Sequence, residues 1–336
     1  MLRGAALFGR VRRMTEKPAT VSIFSGSADR SCPYGHSVWD AVGSSARRRG
    51  LFFDDQAVMM EESSPGHVHL LPVQHESKEH RRPLRFGRAA PSLPDSVTTW
   101  GHSVHCPVAE LARRGVSLPP RAPNAKLAVV VLPQDPDGRL LITQRAAHMR
   151  TFPRCWVFPG GGVDEGELLF AAGRRELYEE TGLTVDHESM QLLCFWESVF
   201  PTSADGCMDA GQVKGHSVTA FVKALVEPAA ADTLVLQSSE CERCAWVPLS
   251  WLMELHGPSA FESRHSDLAS EVPALPGWQV VRKADVETEP LDLARCRIEA
   301  SQLQGIYPNA IGEGVGQGHL YALSMLSEET SEVSNL

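Results

Sequence analysis

Between residues 125 and 256 the apolar positions fall into short runs separated by turn chemistry. Residues 127–132 (LAVVVL) are a continuous Val-rich stretch and predict a buried strand. The PQDPDG of residues 133–138 is turn-forming, so Arg139–Arg145 (RLLITQR) reads as the returning strand of a hairpin. A further extended piece at 155–158 is stopped by Pro159 and Gly160–Gly162. Further strands are predicted at Met190–Phe200, 217–226 and 244–249, and a short helix at 250–256. Residues 167–181 hold good helix formers and no proline, with Gly182 placed to cap the C-terminus, which predicts a helix there.

The flanks are less regular. Residues 1–120 mix Pro, Gly, Ser and His around short apolar pieces at 51–53 and 58–60. Part of this region is expected to fold as a small unit on the main domain, and 65–94 to be loop or disorder. Residues 257–290 are Pro-rich and aperiodic, and helices are predicted at 291–304 and 319–329. The expected organisation is an N-terminal region (1–120), partly disordered, a mixed α/β domain (121–256) and a C-terminal extension (257–336) of loop plus two short helices.

Composition narrows the classes. Hydrophobic residues make up 43% and charged residues 22%, which suits a soluble globular chain. No run approaches the ~18–20 apolar residues of a membrane helix, so no membrane partner is expected. A net charge of -9 argues against a whole-chain basic field for nucleic acid and leaves room for a local patch. The first fifteen residues carry Arg3, Arg10, Arg12 and Arg13 and no acid, a trait shared with mitochondrial presequences, and Ser334-Asn335-Leu336 is distantly like a peroxisomal address. A cytoplasmic location is the default expectation. The 8 cysteines are expected to be reduced. Cys241 and Cys244 form one C-x-x-C, but no second pair completes a zinc ribbon, so both are read as small core residues. His67, His69, His75, His80, His102 and His105 lack regular ligand spacing and read as a polar segment.

The chemistry is concentrated at residues 160–183 (GGGVDEGELLFAAGRRELYEETGL). On the predicted helix Glu176, Glu179 and Glu180 stand at i, i+3 and i+4, which gathers their carboxylates on one face. Such crowding is unfavourable unless a cation sits among them, and Mg²⁺ or Mn²⁺, hard cations that prefer oxygen, are the natural candidates. Glu167 and Arg175 lie eight residues apart, about two turns, and can pair as support for the ligands. Gly160–Gly162 allows close backbone approach and offers carbonyl oxygens. Any one of these pairs alone would be read as solvated surface; their joint spacing is what carries weight.

That spacing, Gly161, Glu167, Arg175-Glu176-Leu177, Glu179-Glu180 and Gly182-Leu183, resembles the signature of the Nudix hydrolases. LLITQR before it and WVFPGG leading into it agree, and the resemblance covers about residues 127–256. It implies an α/β Nudix fold, an α/β/α sandwich around a mixed β-sheet, here with N-terminal and C-terminal extensions. It also implies metal-dependent hydrolysis of a phosphoanhydride in a nucleoside diphosphate linked to another group, with water attacking phosphorus. Carried onto these positions, Glu176 and Glu180 are the main metal ligands. Glu179 and the carbonyl of Gly160 contribute, Arg175 and Glu167 form the supporting pair, and Gly161 and Gly182 shape the loop and the helix end. Glu240 stands as general base, or alternatively as a surface loop acid. Arg145 is read either as a contact to substrate phosphate or as a partner of a surface acid. Phe200 and Trp196 are read as stacking on a base or as core, and 201–215 as a lid or substrate loop.

Shorter matches extend the likeness. His105-Cys106-Pro107-Val108-Ala109, PNAKLAVVVL, FWESVFP at 195–201 and GHLYALSML resemble the Nudix motif 17 type, proposed to remove the methylguanosine cap of messenger RNA. The expected partner is then a nucleotide-type small molecule or a capped RNA 5′ end. The Ser-Gln-Pro-Trp-Pro-Phe-Pro run and four-cysteine zinc ribbon of NADH pyrophosphatases are missing, and the pattern of the coenzyme A group is only partly matched. A dinucleotide pyrophosphatase acting on NADH or ADP-ribose remains the alternative. A non-catalytic nucleotide-binding module is the reading of another class, and the retention of every carboxylate in the signature weighs against it.

Overall fold

The computed structural model describes residues 21–25, 28–31, 57–64, 67–72, 82–86, 98–103, 106–118, 125–164, 167–227, 233–256, 274–281, 292–303, 305–307 and 313–333. Of the histidine-rich segment, His75, His80 and His105 lie outside them. Strands β1 (Val21–Ser25), β2 (Ala28–Ser31), β3 (Ala57–Ser64), β4 (His67–Pro72) and β5 (Arg82–Phe86) pair among themselves. β4 and β5 fall within 65–94, where loop or disorder was expected. β5 runs parallel to β6 (Thr98–His102), and β6 parallel to β11 (Met190–Phe200).

From β6 onward the strands build a mixed sheet. β11 is antiparallel to β12 (Gly215–Leu225), β12 parallel to β7 (Lys126–Gln134), and β7 antiparallel to β10 (Gly160–Gly162). The expected hairpin forms at its turn only: β7 meets β8 (Arg139–Arg145) through Gln134 and Leu140, and the strands then part. β8 pairs instead with β9 (Trp156–Val157) and with β13 (Cys241–Pro248).

Period-two alternation divides the core. Leu127, Val129 and Val131 of β7 and Val218, Ala220, Val222 and Ala224 of β12 face helix α2 (Leu169–Thr181), packing on its Leu169, Ala172 and Leu177. Val130, Leu132 and Phe221 face the other way, onto α4 (Leu249–His256) and α6 (Gln317–Val333). Helices therefore cover both faces of a mixed sheet, the sandwich expected from the sequence. Leu177 is fully buried, and truncating it to Ala should cost about 2–5 kcal/mol. Cys241 and Cys244 are free thiols in the first of these cores, where burial raises both above the usual thiol range.

Three expectations need correction. The helix expected at 291–304 is instead strand β15 (Asp292–Ile298) followed by the short helix α5 (Ala300–Leu303). β15 pairs with β14 (Leu275–Val281), a strand inside the span read as aperiodic, and β14 pairs with β13. Leu, Ala, Arg and Glu favour helix locally, but pairing at the sheet edge overrides propensity: exposed Arg295 and Arg297 alternate with half-buried Cys296 and buried Ile298. The segment 201–215, read as a lid or substrate loop, holds structure of its own. It contains helix α3 (Ala204–Asp209), docked on α1 (Pro107–Arg113) through Cys106, Val108, Leu111, Ala204 and Cys207, and Arg114 donates to Asp205 at 2.6 Å. Helix α2 begins two residues later than expected, because Leu168 is extended and serves as its N-cap.

Candidate active site

Glu167 thus lies before the helix, yet it still reaches Arg175. Arg175 Nε donates to Glu167 Oε1 and Nη2 to Oε2, both at 2.8 Å. The pair joins the entering loop to the second turn of α2 rather than two turns of one helix. Arg175 Nη2 also donates to the Gly162 carbonyl at 3.1 Å. Nη1 donates to Glu176 Oε1 at 2.8 Å and Glu179 Oε2 at 3.3 Å. The Glu167 hydrogen bonds, and then the Glu176 and Glu167 charges, hold this guanidinium firmly protonated against the opposing effect of burial.

The glycines set how closely the loop approaches. A Cβ on Gly160 would stand 2.3 Å from the Val129 carbonyl oxygen and 2.6 Å from Val130 Cα, so glycine is what lets β10 lie this close to β7, and a Cβ on Gly161 would stand 2.6 Å from the Glu176 carboxyl and push it aside. Gly182 closes the helix at φ 74°, donating its N–H to the Tyr178 carbonyl at 2.8 Å. The N–H of Gly160 donates to Glu180 Oε2 at 3.3 Å. The contact seen at Gly160 is thus through its amide, whereas the sequence directed attention to its carbonyl.

Glu176 and Glu180 are buried and Glu179 is half-exposed. Burial pushes the Glu180 carboxyl well above the usual carboxylate range, and the charges of Glu176 and Glu240 push it further. Arg145 and the Gly160 amide oppose them. Glu240 is half-buried, and its carbonyl accepts from the Ala146 N–H at 2.8 Å, tying it to the residue after Arg145. Arg145 pairs in register with Cys241, and its Nε donates to the Thr151 carbonyl at 3.2 Å. Glu176 and Glu180 from α2, Glu240 from the turn before β13 and Arg145 from β8 are thereby brought together.

Among the described residues no three His, Cys, Asp or Glu converge as a ready-made coordination sphere. Arg175 holds Glu176 and Glu179 instead. The donor chemistry still fits a divalent cation: buried carboxylates repel one another, and the Gly162 carbonyl shares the Arg175 guanidinium with Glu176. Phe200 is half-exposed, its ring 5.7 Å from that of Phe152, whereas Trp196 is buried against Tyr321 in the core.

Several neighbours of the site were not singled out from the sequence. The Asp164 N–H donates to Glu167 Oε2 at 3.1 Å. His319 of α6 accepts from the Phe158 N–H through Nδ1 at 3.0 Å, two residues before Gly160, and burial lowers its imidazole to about 3. Elsewhere in the sheet, Glu197 of β11 and His216 of β12 form a buried pair at 2.8 Å. Asp164 lies within the signature itself, but nothing in the local sequence shows that residues 300–320 reach the loop.

Comparison with known proteins fits this geometry. Residues 124–267 match the model of the NUDIX domain. The m7GpppN-mRNA hydrolase NUDT17 of Danio rerio is 35% identical over 153 residues, 42% of this chain and 49% of that protein. Its namesake in Xenopus laevis is 42% identical over 99 residues, 29% of this chain and 33% of that one. The RNA pyrophosphohydrolase of Caulobacter vibrioides (strain NA1000 / CB15N) is 57% identical over 49 residues, 15% of this chain and 27% of that one. The chain thus spans half or less of the length of these curated relatives.

Proposed function

From a chain that carries a Nudix domain, we propose a hydrolase that cleaves a phosphoanhydride bond in a nucleoside diphosphate-linked substrate, the capped 5′ end of messenger RNA. The observation that carries this reading is the gathering of Glu176, Glu180 and Glu240 beside Arg145 against the Gly160–Gly162 backbone. Glu176, Glu179 and Glu180 would hold Mg²⁺ or Mn²⁺. Such an ion polarises phosphoryl oxygens and offsets the charge that develops on them. Glu240 accepts a proton from the attacking water, and Arg145 binds the phosphate oxygens. Water adds to one phosphorus, the bridging P–O bond breaks, and the leaving phosphate carries away the bond's electrons. The names of the Danio rerio and Xenopus laevis relatives support the cap as substrate.

The test is a hydrolysis panel in Mg²⁺ or Mn²⁺ containing capped RNA, NADH, ADP-ribose, diadenosine polyphosphates and acyl-coenzyme A, with Glu180→Gln as blank. Release of methylguanosine diphosphate from capped RNA supports the reading. Faster cleavage of NADH or ADP-ribose moves the protein to the dinucleotide class. No cleavage of any substrate leaves a binding module.

A further inference from the structure

Three aromatic rings meet beside Arg145, each from a different part of the chain. Phe152 lies in the loop between β8 and β9, Phe200 ends β11, and Tyr307 ends β16 (Ile306–Tyr307). The Phe152 and Phe200 centroids are 5.7 Å apart at 74°, and those of Phe152 and Tyr307 are 6.0 Å apart at 75°. All three rings are half-exposed.

The loop holds Phe152 there at a cost. Phe152 has φ 52° and Arg154 φ 59°, the left-handed region that residues with a side chain seldom occupy. Hydrogen bonds enforce the shape: Arg145 N–H to the Cys155 carbonyl at 3.0 Å, Arg154 N–H to the Arg145 carbonyl at 3.1 Å, and Arg145 Nε to the Thr151 carbonyl at 3.2 Å. A ring seated only to fill a core would be enclosed, as Phe158 and Phe195 are. Phe152 is strained and half in solvent, the pattern of a side chain placed for a ligand.

The rings also lie close to charge. Arg145 is hydrogen-bonded to Thr151, the residue before Phe152, and lies within electrostatic range of both Tyr307 and Glu180. A guanidinium that neighbours both carboxylates and aromatic rings suits a ligand that carries phosphate and a planar base. We infer that Phe152, Phe200 and Tyr307 form the subsite for the nucleobase of the substrate, taken as a planar, cationic methylated guanine. The half-exposed rings present aromatic surface to solvent on which a planar guest can stack, and a cationic base gains from an aromatic face beyond dispersion. The identity of the ligand rests on the hydrolase reading; the existence of the stack does not.

The test is titration calorimetry of the full chain with methylguanosine diphosphate and, separately, inorganic pyrophosphate. Phe152→Gly is the main variant, because glycine accepts φ 52° and relieves the backbone while deleting the ring. It should keep its melting temperature, weaken methylguanosine diphosphate roughly tenfold, as loss of one base–aromatic stack does, and leave pyrophosphate unchanged. Tyr307→Leu should behave alike, and Tyr307→Phe should restore binding. Unchanged affinity for methylguanosine diphosphate in Phe152→Gly and Tyr307→Leu would overturn the proposal, as would equal weakening of pyrophosphate. Normal binding without hydrolysis by the unaltered chain would remove the hydrolase reading and leave the subsite standing.

Discussion

Arg175 tests most directly how the loop and the helix are joined. Arg175→Gln removes both bonds to Glu167 and those to the Gly162 carbonyl, Glu176 and Glu179. Hydrogen bonds to charged groups contribute about 1.5–3 kcal/mol each. They are not additive, and the guanidinium retains 24% exposure, so partial solvent screening lowers the total. The variant should lose about 2–4 kcal/mol, near the lower edge of what breaking a buried pair costs. Urea unfolding of Arg175→Gln, Glu167→Gln and the double variant forms a cycle whose coupling should exceed about 1 kcal/mol. Hydrolysis should fall further than stability alone explains, because Glu176 and Glu179 lose the group that sets their direction. A loss under about 0.5 kcal/mol, the range of ordinary surface substitutions, with a coupling near zero would refute the view that this arginine organises the site.

Further outcomes follow from the same geometry. Glu180→Gln should fold normally and lose nearly all hydrolysis; it should also be the more stable protein without metal at neutral pH, since a carboxyl with a raised folded value costs stability as pH rises, and added Mg²⁺ should then stabilise it less than the parent in a melting assay. His256 and His319 are lowered by burial from 6.5 to about 4 and about 3, so the unfolded chain takes up their protons first. Stability is therefore full above pH 6.5 and declines below it, by at most about 1.4 kcal/mol per pH unit for each imidazole; chemical unfolding from pH 7.5 to 4.5 should show a shallower decline for His256→Gln, and parallel curves would contradict it. Deleting residues 305–336 should abolish soluble folding, because it uncovers Trp156 and Phe158; a truncated chain with unchanged melting temperature and hydrolysis would show that the C-terminal segments are dispensable.

The sequence is most legible where a local rule and the tertiary environment agree. The strand at 127–132 combines β-branched composition with burial on both faces, Met190–Phe200 is a mostly buried apolar and aromatic run, and the helix ending at Gly182 has its cap written into it. Legibility fails where the environment comes from far along the chain. Residues 291–304 look helical taken alone, yet Asp292–Ile298 form a strand against β14 and only Ala300–Leu303 are helical. Glu167 looks helical too, but its carboxylate is engaged by Arg175 and by the Asp164 amide, which keeps it in the loop. The carboxylates of the candidate site were readable because their spacing falls within one helix. The ring cluster was not, since Phe152, Phe200 and Tyr307 are related only by folding and a left-handed φ leaves no mark on composition.

The C-terminal segment is tied directly to the stretch that leads into the carboxylates. Trp156 donates its backbone N–H to the Gly314 carbonyl at 3.0 Å and its indole N–H to Glu313 at 3.3 Å, and the Phe158 N–H goes to His319. Each clamps the stretch that leads into Gly160, whose amide meets Glu180. At the loop's other end Arg175 holds Gly162 and the carboxylates beside it. A loop fixed at both ends can bring peptide groups against buried carboxylates without collapsing away from their charge. The same fixation makes their repulsion costly, and a divalent cation held by Glu176, Glu179 and Glu180 would relieve that cost. Arg175 would then still have Glu167 and the Gly162 carbonyl as partners to keep the loop in position.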